Sequence, residues 1–94
     1  MTFTNILHVF PQEEWHTPVT IVADTEAIKG LINILQQALN NSELQENKFE
    51  TMANDGEGYD VRVFRIDDLD EFKKISNPYT SDMVPSDRLK TYIP

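Results

Sequence analysis

The sequence predicts an α+β fold, in which one long amphipathic helix packs on a small, mainly antiparallel sheet and is followed by a short C-terminal helix and an extended tail. Three features predict it: a helical apolar period after Asp24, two alternating segments around a glycine-rich corner, and a length of 94 residues. That length suits one domain. We expect the domain to span residues 1–76, and residues 77–94 to form an extended or flexible C-terminal arm.

Two short apolar segments before the helix are predicted to be strands, which gives the element order (β)βαββ. Residues 5–10, NILHVF, have the β-branched and aromatic composition of a strand, and Pro11 ends it. Residues 18–24, PVTIVAD, alternate more clearly, since Val19, Ile21 and Ala23 share one side.

The helix is predicted near residues 25–41, where apolar residues recur at steps of three and four. Asp24 or Thr25 can accept a hydrogen bond from the free amides of its first turn. Gly30 costs about 1 kcal/mol relative to alanine inside a helix, so we expect another backbone or a ligand to approach it closely. The face expected to lie against the sheet includes three leucines: Leu31, Leu35 and Leu39.

An antiparallel hairpin is predicted where KFETMA and YDVRVFRI flank the corner NDGEG. A five-residue loop, residues 54–58, would pair Ala53 with Tyr59 and place Glu50 opposite Arg62. The segment DDLDEFKKIS after it predicts a short helix, with acids in the first turn and lysines in the last. The side of the hairpin expected under the long helix carries Phe49, Val61 and Val63.

Charge and composition limit the function. Sixteen acids against eight scattered bases give a net charge of -8, which disfavours nucleic-acid binding and suits an inhibitor that docks on a basic protein surface. The absence of cysteine excludes disulfides and thiolate metal sites, and two histidines without metal-ligand spacing predict no metal and no cofactor. The N-terminus resembles neither a signal peptide nor a membrane span, so we expect a cytoplasmic protein without membrane contact.

Catalysis has little support, because no serine or cysteine has a nucleophile setting and acids are so abundant that any pair could arise by chance. We therefore expect a protein that is not an enzyme.

Three loop segments could bind a ligand, and each also has a purely structural interpretation. Gly56 and Gly58 permit positive φ, so the corner is either an anion-binding loop or a plain turn. Trp15 either caps the core or offers a stacking platform. Tyr79 in the tail segment NPYT either reads a polar ligand or folds back on the sheet. The predicted ligand-binding residues are Trp15, Asp24, Thr25, Asn54, Gly56, Gly58, Tyr59, Tyr79 and Thr80.

The segments PVTIVADTEAIKGLINILQQAL, NDGEGYDVRVFRI and NPYT, taken in this order, resemble a group of small, uncharacterised bacterial and phage proteins. These share a strand, a helix start, a DGEGY hairpin turn and a PYT-like tail motif, and the likeness covers roughly residues 13–82. Ala23 stands before the acid where that pattern has glycine. The resemblance implies a prokaryotic or phage origin and a stand-alone domain.

Two functions fit these observations. The first is a sponge of bacterial or phage conflict, a homo-oligomer that sequesters a small nucleotide-like signalling ligand in an oligomeric groove, with the start of the long helix able to hold a phosphate. The second is an acidic immunity or inhibitor protein that masks a basic surface on a toxin, nuclease or defence protein. Oligomerisation is expected through an open sheet edge and the partly apolar face bearing Met52, Phe64 and Ile66.

Overall fold

Residues 4–75 are described by a computed structural model, which confirms the α+β class. Elements follow one another in the predicted order, beginning with the strand predicted in residues 5–10. Their bounds are β1 Leu7–Phe10, β2 Thr20–Ala23, α1 Thr25–Asn40, β3 Asn47–Met52, β4 Gly58–Val63 and α2 Leu69–Phe72. Tyr79, Thr80 and the predicted arm lie outside the described residues.

The strands form two antiparallel pairs, β1–β2 and β3–β4, and not the single sheet that the sequence predicts. One parallel bridge between Ile6 and Met52 joins the two pairs. Beside it, side chains replace a backbone ladder: Asn5 Nδ2 donates to the Glu50 carbonyl at 2.8 Å, and Thr51 Oγ1 donates to the Asn5 carbonyl at 2.8 Å. Asn5 has a φ of +66°, which ends regular pairing at this point.

The β3–β4 register differs by two residues from the predicted one. Met52 lies opposite Gly58, because the loop closes between Ala53 and Glu57, where the Ala53 amide donates to the Glu57 carbonyl at 2.9 Å. A displacement of two residues keeps every side chain on its predicted face. It does overturn the predicted Glu50–Arg62 pair, and the Arg62 guanidinium instead lies 3.2 Å from a Glu46 carboxylate oxygen.

The start of α1 is the predicted one. Asp24 is its N-cap, and its Oδ1 accepts hydrogen bonds from the Ala27 amide at 2.9 Å and from the Ile6 amide at 3.2 Å. Thr25 is the first residue of the helix and is exposed. The same carboxylate therefore caps the helix and holds the chain just before β1.

The face of α1 that packs on β3 agrees in part with the predicted one. Its buried residues are Ala27, Ile34 and Ala38, of which the two alanines belong to the predicted apolar set, whereas Leu31 is half-buried and Leu35 and Leu39 are exposed. The small residues explain the difference, because they allow the helix to approach the strand closely along their own line. At Gly30 a Cβ would lie 2.9 Å from the Phe49 ring, so the expected close approach is made by a side chain and not by a backbone or ligand.

The C-terminus of α1 is held by residues distant in sequence. Its last turn contains no basic residue, but the Arg65 guanidinium donates to the Ala38 carbonyl at 3.0 Å and to the Asn41 carbonyl at 2.7 Å. Buried Asn47 donates through Nδ2 to the Val63 carbonyl and accepts at Oδ1 from Asn41 Nδ2. These bonds satisfy carbonyls that a helix end leaves unpaired and tie α1 to the β3–β4 hairpin.

Candidate functional site

The glycine-rich corner is a turn docked against β1. Gly56 has the positive φ expected of it, +89°, but Gly58 lies in β4 without one, so the expectation of positive φ at Gly58 is wrong. A Cβ at Gly58 would make an ordinary 3.8 Å contact with the Thr51 carbonyl oxygen. The register explains this, since a loop that closes at Glu57 leaves Gly58 in extended backbone.

Three amides of this corner donate to acceptors within the protein. The Asn54 amide donates to His8 Nε2 at 3.0 Å, the Gly56 amide to the Ala53 carbonyl at 3.0 Å, and the Glu57 amide to Asp55 Oδ1 at 3.0 Å. An anion would have to displace these bonds next to two exposed carboxylates. The geometry favours the turn over an anion cradle.

A cleft of about 300 Å³ lies beside the corner, at the junction of the two strand pairs. The Tyr59 hydroxyl crosses that junction and donates to the Leu7 carbonyl. Burial raises the pKa of the Tyr59 phenol above its ordinary value. The residues lining the cleft are Leu7, His8, Val9, Phe10, Ala53 and Tyr59.

Three rings border this cleft: the phenol of Tyr59, the imidazole of His8 and the phenyl of Phe10. The His8 and Phe10 rings meet edge to face, with centroids 6.1 Å apart. Because His8 Nε2 accepts from the Asn54 amide, a neutral His8 carries its proton on Nδ1. The cleft is thus an apolar, ring-lined surface with few polar groups, which suits the planar ring of a ligand.

His8 and Phe10 were not predicted as site residues. They alternate along β1 and so share one face of the strand, which is a signal that the sequence contains. What the sequence does not contain is the bridge from Ile6 to Met52, which brings that face next to the corner. Of the predicted residues, the structure places Tyr59 in the cleft and Asn54 in contact with it through His8.

The start of α1 is separate from this cleft. Asp24 and Thr25 do not line it, and the Asp24 carboxylate already accepts from the first-turn amide of Ala27. A phosphate placed there would meet a negative charge at short range. The structure therefore favours a capping role for Asp24 over phosphate binding.

Trp15 lies in the loop that joins β1 to β2, with 73% of its surface exposed. It does not cap the core, and its ring stands 4.3 Å from that of His16, centroid to centroid. The turn beneath it is fixed by Thr17, whose Oγ1 donates to the Glu14 carbonyl at 2.7 Å. A second cleft, of about 420 Å³, adjoins this loop and is lined by Phe10, Pro11, Glu13, Glu14, Thr17 and Pro18.

Within residues 4–75 no group of three or more His, Asp or Glu side chains is arranged to hold a metal ion. Neither α1 nor α2 is long and apolar enough to cross a membrane.

The chain matches no protein-family model, no curated protein and no solved structure.

Proposed function

We propose that this chain is a non-catalytic binding protein of bacterial or phage conflict, which acts in the cytoplasm by sequestering a small nucleotide-like signalling ligand. The observation that carries the proposal is the ring-lined cleft where Tyr59, His8 and Phe10 meet. Aromatic side chains bind the face of any nucleobase, and each stacked base contributes roughly 1–3 kcal/mol.

The cleft favours recognition of the ring of the ligand over recognition of its phosphate. Among residues 4–75, no lysine or arginine lines the cleft, and the nearby corner contributes the acids Asp55 and Glu57. A phosphate group would be better placed toward solvent or toward a second subunit. A homo-oligomer would supply the other wall of such an open cleft, which is the groove that the proposal requires.

Phe10→Ala is expected to weaken nucleotide retention by about 5- to 150-fold, the equivalent of one lost stacking contact. Native mass spectrometry after incubation with a panel of mononucleotides and cyclic dinucleotides identifies the retained compound, and calorimetry then measures its affinity. Phe72→Ala is the matched control, because Phe72 is 55% exposed against 53% for Phe10 and lies in α2, away from the cleft. Retention of no nucleotide by the unaltered chain, or equal weakening by both variants, would contradict this function.

A second candidate, an acidic protein that masks a basic surface on a toxin, nuclease or defence protein, is favoured by the loop around Trp15. An exposed indole next to Glu13 and Glu14 combines the residue type most enriched in binding hot spots with a charge that attracts cationic partners. The net charge of -8 agrees with it.

Trp15→Ala is expected to weaken binding to a basic partner by about 30-fold or more, which corresponds to a hot-spot loss of roughly 2 kcal/mol. The measurement is surface plasmon resonance of the chain against a panel of purified basic nucleases, at low and high salt. Trp15→Phe keeps a ring and should retain most of the affinity, and added salt should slow association. Binding that is indifferent to Trp15 and to salt would exclude this loop as the masking surface.

A further inference from the structure

A row of large apolar side chains runs along α1 on the side that the sheets leave uncovered. We call it the α1 stripe, and its members are Ile28, Ile32, Leu35 and Leu39, which are between 46% and 73% exposed. They follow one another at steps of four, three and four residues, the spacing that aligns knobs for packing against another helix.

The stripe is distinct from the face that builds the domain core. Ala27, Ile34 and Ala38 form the buried line against β3, and the stripe lies roughly 100° around the helix axis from it. The apolar arc of α1 therefore spans about 200° of its circumference. Its contacts with β2, β3 and β4 leave the part that carries the stripe exposed. A helix with more apolar surface than its own domain covers can pack against a second partner.

The area is large for a free surface. The four side chains together expose on the order of 400 Å² of apolar surface, which is within the range of the largest patches on monomers and often marks an interaction site. Two such stripes would bring together about 800 Å², and the flanking polar atoms would extend the contact toward the roughly 1,200 Å² of the smallest specific interfaces.

The charge of α1 indicates which kind of partner can pack on the α1 stripe. The chain carries -8 overall, yet α1 contains one acid and one base, Glu26 and Lys29, which lie 3.5 Å apart as an ion pair. The helix is thus a neutral surface on an acidic protein, where an identical chain can approach without close like charges. A basic partner would find no complementary charge here.

We propose that a second copy of this chain packs against the α1 stripe, with the two helices antiparallel around a two-fold axis between Ile32 and Leu35. Such an interface is isologous, so Ile28 meets Leu39 of the partner subunit and Ile32 meets Leu35 of the partner subunit. The antiparallel arrangement also places the positive end of each helix dipole beside the negative end of the other.

This interface differs from the expected one on the face of Met52, Phe64 and Ile66, which are only partly exposed. It gives a surface to the oligomer of the proposed function, but it does not depend on a ligand. The chain after residue 75 is a less suitable occupant, because its sequence has three prolines and no apolar run at three- and four-residue steps.

The test compares Ile32→Lys with Asn33→Lys, which introduces the same lysine at the next residue, an exposed position outside the stripe. Sedimentation velocity and equilibrium of the full chain without added nucleotide should give twice the chain mass of 10.9 kDa at high micromolar concentration. Ile32→Lys should raise the dimer dissociation constant at least about 100-fold, since two apolar contacts are lost per dimer. Asn33→Lys should leave it within about twofold.

Circular dichroism of both variants separates dissociation from unfolding: a monomeric Ile32→Lys chain with unchanged helix content supports the interface. A monomer in the unaltered chain overturns it, as does a dimer that Ile32→Lys leaves intact. If the unaltered chain is a monomer and Ile32→Lys lowers its stability, the stripe packs against a segment of the same chain. That result would likewise overturn the dimer. Nucleotide retention is measured separately, so loss of the dimer and loss of the ligand are distinguishable.

Discussion

Ile34→Ala is expected to lower the free energy of unfolding by about 2–5 kcal/mol. Ile34 is 1% exposed and, with Leu7, is one of the two largest side chains that are fully buried. Truncation removes apolar burial and leaves a cavity between α1 and β3, in a domain whose total stability is on the order of 5–15 kcal/mol. Urea unfolding followed by circular dichroism at fixed protein concentration measures the loss.

Two further variants calibrate this result. Ile34→Val removes a single methyl group and should cost about 0.5–1.5 kcal/mol. Leu35→Ala has the same truncation on the neighbouring residue, which is 46% exposed, and should cost clearly less than Ile34→Ala at protein concentrations low enough to keep the chain monomeric. Equal losses at residues 34 and 35 would mean that the Leu35 side chain is as tightly packed as that of Ile34, which would contradict the described burial.

Asn47→Leu is expected to have the second largest effect on stability, about 2–4 kcal/mol. Buried Asn47 donates through Nδ2 to the Gln45 carbonyl at 2.9 Å and to the Val63 carbonyl at 3.1 Å, and its Oδ1 accepts from Asn41. Leucine fills similar volume but removes these hydrogen bonds from the half-buried Asn41 and Val63 groups, and each buried group left unpaired costs roughly 1–3 kcal/mol.

The control for Asn47→Leu is Asn33→Leu, the same change at an exposed position of α1. Exposed substitutions of this kind stay within about 0.5 kcal/mol. Hydrogen exchange provides a second measurement, because loss of the Asn41 contact should accelerate exchange of the amides in the last turn of α1. Unchanged exchange there, with unchanged stability, would show that the Asn47 bonds are replaced by water.

Local sequence signals predicted the elements of this fold but not how they meet. Asp24 and the apolar period located α1, and the NDGEG corner located the hairpin. The register could not be fixed, because a shift of two residues keeps the same faces buried. The buried side of α1 could not be fixed either, because alanine, isoleucine and leucine all count as apolar in a periodic pattern, whereas side-chain size decides how closely the helix approaches.

The same distinction holds for the candidate site. Tyr59 was predicted from its place beside the glycines, and it does border the cleft. His8 and Phe10 reach that cleft because the Met52 amide donates a hydrogen bond to the Asn5 carbonyl just before β1. Asn5 and Met52 are far apart in sequence. Contacts of this kind depend on tertiary packing, and no local pattern encodes them. The sequence also predicted that Asp24 caps the helix. As a cap, its carboxylate competes with an anion for the Ala27 amide.

Within residues 4–75, one backbone bridge joins the two strand pairs, and we call their junction the seam. The cleft lies at this seam. The seam is held by hydrogen bonds of the Tyr59, His8, Asn5 and Thr51 side chains, but its backbone pairing is limited to the Ile6–Met52 bridge. Opening of the seam therefore disrupts less strand pairing than opening of either hairpin. A molecule bound there would tie both halves together. Ligand binding in the cleft would then make residues 4–75 more rigid. Their rigidity would increase with the concentration of ligand.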